Sequence, residues 1–215
     1  MSEKILIIGK NSKISKELLK KIPNNKTVIQ PSKYIWNMED INFDKLKIAS
    51  IKKANKILLL QSFISSTPFL KRNSIDIQNQ VSVNLLSVVK ICEIALQNNK
   101  NVKIIILGSE SGIKGSFDIV YALTKSAIHK YVEERQIKYP KQQLICIAPS
   151  TIIDANMTLK RKDKKNIKKS IRANPKKRGI LSKEISNLIY SIFYEQTDYL
   201  TNTVIRIDGG KFARM

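Results

Sequence analysis

The sequence predicts an α/β protein, a doubly wound three-layer sandwich around a mostly parallel sheet. Three observations carry this. Short segments that are apolar nearly throughout recur along the chain: Lys4–Ile8 (KILII), Lys56–Gln61 (KILLLQ), Val102–Leu107 (VKIIIL) and Gln143–Ile147 (QLICI). Strands of that kind belong to parallel sheets covered on both faces. Between them lie segments with apolar residues three and four apart, the helical period. No Pro/Gly/Ser-rich linker and no repeat divides the 215 residues, so 1–215 reads as one domain.

The elements follow in order. Strand Lys4–Ile8 ends at Gly9. Helix Ser12–Ile22 has Ile14, Leu18 and Leu19 on one face. Thr27–Gln30 is a second strand and Tyr34–Met38 a short third, with Trp36 expected to pack on the sheet. Phe43–Ala54 is helical and Lys56–Gln61 a buried strand. A long helix, Ile75–Gln97, carries Val81, Leu85, Val88, Val89 and Cys92 inward. Strand Val102–Leu107, helix Val120–Lys138 and strand Gln143–Ile147 follow. Helix Lys183–Tyr194 and strand Thr203–Ile207 close the chain, ahead of Asp208-Gly209-Gly210.

Composition excludes several classes. No apolar run approaches the roughly 20 residues of a membrane span. No N-terminal segment reads as a signal peptide. Cys92 and Cys146 show no ligand spacing and no disulfide framework. The expected compartment is the cytoplasm. Lone His129 has no sequence partner for a metal site or a triad and is expected to be an exposed helix residue. The net charge is +22, and residues 159–178 hold eleven Lys/Arg against one Asp. That stretch lacks an aromatic residue for base stacking, which argues against nucleic acid. Two readings stay open for it: a lid that draws in an anionic substrate, or a solvated loop in a Lys-rich chain.

The chemistry concentrates in Leu107–Lys130 (LGSESGIKGSFDIVYALTKSAIHK). Tyr121 and Lys125 are four apart on a helix and share a face. A nearby ammonium stabilises phenolate and lowers the phenol pKa. Such a tyrosine exchanges protons near neutral pH. Ser109, at the end of the preceding strand, is placed to hydrogen-bond a substrate oxygen.

This segment resembles the active-site stretch of the short-chain dehydrogenases/reductases: strand, Ser-x-x-Gly, loop, Tyr-x-x-x-Lys, helix. Ser109-Glu110-Ser111-Gly112 matches the first motif, with a spacing to Tyr121 one residue short; Ser111 is the fallback. Val83–Val88 resembles the helix that carries the family's fourth catalytic residue, here Asn84. Ile147-Ala148-Pro149-Ser150 resembles the Ala-Pro-Gly turn, and Ile205–Gly210 the C-terminal strand with Asp-Gly-Gly. The likeness covers nearly the whole chain. It implies a Rossmann-type fold, hydride transfer between a nicotinamide and a carbonyl or alcohol, and a homodimer or homotetramer. It implies that Tyr121 gives the proton, Lys125 tunes it, Ser109 orients the oxygen and Asn84 holds a relay water. It also implies a cofactor wall of Gly9, Asn11, Ser12, Ile14, Ser32, Lys33, Asn37, Gln61, Ser62, Tyr121, Lys125, Pro149 and Ile152.

The departures cluster on the cofactor side. In the family's Thr-Gly-x-x-x-Gly-x-Gly turn only Gly9 remains; Lys13 and Ser15 take the other glycine positions. Leu60-Gln61-Ser62-Phe63 replaces Asn-Asn-Ala-Gly, Ser150 replaces the turn glycine, and Asp154 stands where a Thr is expected. Lys13 either clashes or attracts phosphate. Ser32 and Lys33 at the end of the second strand suit a 2′-phosphate, so NADP is expected over NAD. The expected substrate is a small carbonyl or alcohol, anionic or carrier-bound. The alternative is a non-catalytic relative that binds no dinucleotide and serves as a scaffold for an anionic partner.

Overall fold

The protein, seen here in a computed structural model, is described for residues 3–34, 36–161, 164–195 and 197–212. Six strands form one sheet in the order β2-β1-β3-β4-β5-β6, with every neighbouring pair parallel. They are β1 (Lys4–Ile8), β2 (Thr27–Ile29), β3 (Lys56–Leu59), β4 (Lys103–Leu107), β5 (Gln143–Pro149) and β6 (Thr203–Ile207). The expected "mostly parallel" sheet is therefore parallel throughout.

Successive strand residues point to opposite faces, and both faces are dry. Leu6, Ile8, Ile57, Leu59, Ile104, Ile106, Leu144 and Cys146 belong to one buried layer. Ile5, Ile7, Leu58, Leu60, Ile105, Ile145 and Ile147 belong to the other. The first layer is covered by α2 (Lys45–Lys53), α4 (Ser87–Asn98) and α6 (Ile119–Glu134), the second by α1 (Lys13–Leu19) and α9 (Ser182–Tyr194). α1 has only seven residues, too few to hold a helix in water on their own. Buried Ile14 and Leu18 stabilise it by about 1.5–3 kcal/mol each.

α3 (Ser74–Val81) runs through a five-residue π turn, Ser82–Leu86, into α4. The continuous helix Ser74–Asn98 is long and apolar enough to cross a bilayer by length and composition alone. Its Val88, Ile91, Cys92, Ala95 and Leu96 are buried against the sheet, which accounts for that hydropathy.

Two expectations are corrected. No strand forms at Tyr34–Met38 among the described residues: the chain turns there, with Trp36 N–H donating to Ser32 O (2.9 Å). Trp36 and Met38 still reach the core, while Tyr34 lies in solvent and Ile35 is outside the described residues. The basic stretch is not a loop. It holds the end of α7 (Asn156–Lys160) and the whole of α8 (Lys164–Arg172), which is anchored by Ile167; Lys162 and Asp163 fall outside the described residues. The remaining differences are at element ends: the helix expected over Val120–Lys138 stops at Glu134, and the one expected from Phe43 starts at Lys45, capped by Asp44.

Candidate active site

β1 has β2 on one side and β3 on the other, so the winding of the fold reverses there. Such a switch opens a crevice beyond the carboxyl ends of the strands. A cavity of about 800 Å³ lies here. Its wall takes in the β1–α1 turn, the segment after β3, the ends of β4 and β5, and part of α8.

Tyr121, Lys125 and Ser109 all lie on this wall. The two helical residues are buried, at 8% and 2% exposure. Asp118 caps α6 by accepting from Tyr121 N–H (3.2 Å), which fixes the register that turns positions 121 and 125 to the cavity. Lys125 Nζ lies 5.7 Å from the Tyr121 ring centre and donates to Leu107 O at 2.8 Å. Burial raises the Tyr121 pKa, and the hydroxyls of Ser109 and Ser62 pull it partly back. The expected lowering by Lys125 is not found: desolvation of the phenolate dominates, and the opposing pull comes from Ser109, Ser62 and Arg161. Burial also lowers Lys125 to about 8. Ser109, not the fallback Ser111, faces the phenol; Ser111 opens the short helix α5 (Ser111–Lys114) and lines the cavity too, and its N–H donates to Ser109 Oγ (3.1 Å).

His129 corrects another expectation. It is buried, at 6% exposure, one turn beyond Lys125. Gly108 and Gly112 make room for it: a Cβ on Gly108 would lie 2.6 Å from His129 Nε2, and one on Gly112 would lie 2.7 Å from Cε1. Ser109 N–H points at Nε2, at 3.5 Å. Burial, then the Lys125 charge, depress the imidazole pKa to about 4. An unfolded histidine near 6.5 therefore binds a proton before the folded one does, and stability falls as pH drops from about 6.5 towards 4. The melting temperature is expected to fall over that range, and to fall less in His129→Gln. Thermal melts at pH 7.5 and 4.5 check this.

Asn84 is buried in the π turn but does not line the cavity. Its Oδ1 accepts from Phe63 N–H (2.7 Å), and its Nδ2 donates to Phe63 O (2.8 Å) and Thr124 Oγ1 (3.3 Å). The amide thereby joins the segment after β3 to α6.

Of the residues expected on the cofactor wall, Gly9, Asn11, Ser12, Ile14, Lys33, Asn37, Gln61, Ser62, Pro149 and Ile152 line the cavity; Ser32 does not. Gly9 has φ +100°, and a Cβ there would lie 3.0 Å from Leu60 Cβ, so glycine is required. Both amide atoms of Gln61 are buried without a hydrogen-bond partner. Two departures from the family pattern meet each other: Lys13 Nζ lies 3.1 Å from Asp154 Oδ2. The lysine is thereby drawn across the turn and does not fold into it. Asp154 Oδ1 also accepts from Ser182 N–H and Oγ–H, both at 2.9 Å. Ser15 is fully buried and accepts from Gln30 Nε2 (2.8 Å), Ser150 N–H donates to Ile207 O (2.9 Å), and Phe63 lies on the cavity wall.

Sequence reasoning passed over a second polar cluster. Glu110, 6% exposed and on the cavity wall, pairs with Lys114 (3.1 Å) and Lys211 (3.4 Å), and Lys211 donates to Ser170 Oγ on α8 (3.0 Å). It ties α8 to the loop of Ser109. The i, i+4 spacing of Glu110 and Lys114 was the one signal for it; Lys211 and Ser170 carry none.

No protein-family model matches the sequence, and no curated protein matches it. Solved structures do. A short-chain dehydrogenase/reductase of Brucella melitensis, described as a glucose/ribitol dehydrogenase, superposes with a TM-score of 0.80 at 17% identity, over 99% of this chain and 97% of that one. A short-chain dehydrogenase family protein of Francisella tularensis gives 0.79 at 17% identity over the full length of both chains. A variant of ElxO with NADPH bound gives 0.79 at 16% identity, also over both full lengths. The chain has the Rossmann-like fold of the short-chain dehydrogenases/reductases.

Proposed function

We propose that the protein is an oxidoreductase of the short-chain dehydrogenase/reductase type. It reduces a carbonyl with NADPH or oxidises the corresponding alcohol with NADP. One observation carries this reading: Tyr121, Lys125 and Ser109 converge on one cavity that the β1–α1 turn also lines. The residues present fit a dinucleotide. The cavity has the volume of a ligand site, the unpartnered amide of Gln61 offers a donor and an acceptor on its wall, and Lys13 is held away by Asp154. Gly9, Asn11, Ser12, Ile14, Gln61, Ser62, Pro149 and Ile152 would hold the cofactor. Lys33 favours NADP. Its bond to Glu39 (3.0 Å) is exposed and worth little, so a 2′-phosphate displaces it at small cost.

The nicotinamide supplies or takes up the hydride when bound. Ser109 orients the substrate oxygen, and Tyr121 gives it a proton through its phenol. Lys125, ammonium below about pH 8, places a positive charge beside the phenol ring and would hold the ribose of the cofactor. Asn84 keeps the segment after β3 in place through Phe63. Carbonyl reduction is therefore expected to hold steady through neutral pH and to fall above about pH 8, as the ammonium is lost. A pH–rate profile checks this.

An anionic substrate fits the exposed cations Lys164, Lys165, Lys168, Lys169 and Arg172 of α8, whose other face lines the cavity through Asn166, Ile167 and Ser170. A homodimer or homotetramer is supported by exposed Ile119 and Leu123 on α6 and by Leu86 on the π turn. Buried free Cys92 and Cys146 support a cytoplasmic setting. The experiment is a panel of aldehydes and ketones, free and as acidic conjugates, with NADPH consumption followed at 340 nm. Oxidation of NADPH dependent on one of them supports the reading. None across a panel that spans both kinds tells against it.

A further inference from the structure

A buried polar junction lies behind Tyr121, and only its Asp118 cap on α6 has been given a role so far. Arg72 and Asp118 are almost wholly enclosed, with side chains 2% and 3% exposed and an Nη1 to Oδ1 distance of 3.7 Å. Asp118 Oδ1 takes Tyr121 N–H; its Oδ2 takes Ser65 N–H (2.7 Å) and Gln80 Nε2–H (2.6 Å). Gln80 also donates to Phe63 O (3.0 Å) and accepts from Arg72 Nη1 (2.5 Å). Arg72 Nη2 donates to Asp76 O (3.0 Å), and its guanidinium lies 6.0 Å from the Phe63 ring. One carboxylate therefore joins three segments: α6 at Tyr121, the segment after β3 at Ser65, and α3 at Gln80.

A neutral capping residue serves a helix end about as well as an aspartate. Burying a charged pair costs several kcal/mol of desolvation that apolar residues would avoid. A fold that needed only the cap has no use for the arginine. The charge instead has a place to act: Asp118 lies three residues before Tyr121 on α6, where burial strengthens fields.

We propose that Asp118, balanced by Arg72, is a positioning residue for Tyr121: through Ser65 it locks the cavity-lining segment Gln61–Ile64 to the start of α6, and it sets the field at the phenol oxygen. This rests on the reading of Tyr121 as the proton donor. The groups facing that phenol are Asp118 and Lys125 on α6, Ser109 after β4, Ser62 after β3 and Arg161 after α7, with Arg72 behind Asp118. The Asp118 charge pushes the phenol pKa up, and Arg72 carries the opposite charge 3.7 Å from that carboxylate.

The sign of the charge gives the test. Asp118→Asn removes a negative charge and should lower the Tyr121 pKa; Arg72→Met leaves the carboxylate unbalanced and should raise it. Each shift is expected to be about half to one pH unit, the size of one screened charge at this range. NMR titration of protein labelled with 13C at tyrosine Cζ reads it, and loss of one resonance in Tyr121→Phe makes the assignment. A purely structural role would move both variants in the same direction, or neither. Removing one partner of a buried pair is destabilising, so the double variant Arg72→Met/Asp118→Asn is titrated too. It should fall between the singles, and against it either single that folds still gives the sign. Opposite shifts support the proposal; shifts of one sign, or none in any folded variant, overturn it. The titration needs no turnover. Failure of the oxidoreductase reading would appear instead as an intact Tyr121 titration in a protein that binds no dinucleotide.

Discussion

Tyr121→Phe is expected to remove turnover, by at least about 100-fold, while leaving the melting temperature and dinucleotide binding close to those of the parent. General acid–base groups contribute about 10²–10⁴-fold, and this one has no substitute within reach. Ser109 and Ser62 face the phenol, but a hydroxyl is a poor proton donor at neutral pH; Lys125 is engaged with Leu107 O. The ring itself stays, so α6 keeps its packing, and the backbone bond from position 121 to Asp118 is untouched. The measurements are steady-state NADPH oxidation, a thermal melt and a binding titration on the same preparation. Turnover within tenfold of the parent would remove Tyr121 from the mechanism.

Gly108→Ala is expected to cost about 3 kcal/mol of stability, the upper end of what overpacking a core does. The added Cβ would lie 2.5 Å from Cys146 Sγ and 2.6 Å from His129 Nε2, and both neighbours are buried. Neither can swing into solvent, so the strand end must shift, and Ser109 shifts with it. For a domain of this size that corresponds to a fall of roughly 6–12 °C in melting temperature. Adding His129→Ala empties one side of the clash, and the double variant should recover part of the loss, as residues in contact do. Chemical denaturation of the four proteins checks both statements. Equal effects of Gly108→Ala in the two backgrounds would show that His129 does not define the space.

Period and hydropathy carried the fold because β1, β3, β4 and β5 are covered on both faces and so are apolar at nearly every position. Tyr34–Met38 misled for a physical reason: Trp36 and Met38 point inward from a turning segment, which reproduces the alternation of a strand without its pairing. The basic stretch looked like a loop because α8 has a single buried anchor, Ile167, and nine residues that include four lysines and an arginine carry little hydrophobic signal. In the site, Tyr121, Lys125 and Ser109 were legible as local spacing. His129 was not, because its burial depends on glycines 17 and 21 residues earlier, which only the fold brings beside it. The Lys13–Asp154 and Arg72–Asp118 pairs lay hidden for the same reason: each joins segments far apart in the chain. A substitution at one glycine position reads as damage until its partner is seen.

On the reading proposed above, the altered turn still holds a dinucleotide beside Tyr121. Calorimetric titration of the purified protein with NADPH and then NADH, at moderate salt, addresses it most directly. Micromolar binding of NADPH, with NADH weaker, is the expected result. Binding of neither would contradict it and leave a protein with the fold of a reductase and no reductase chemistry.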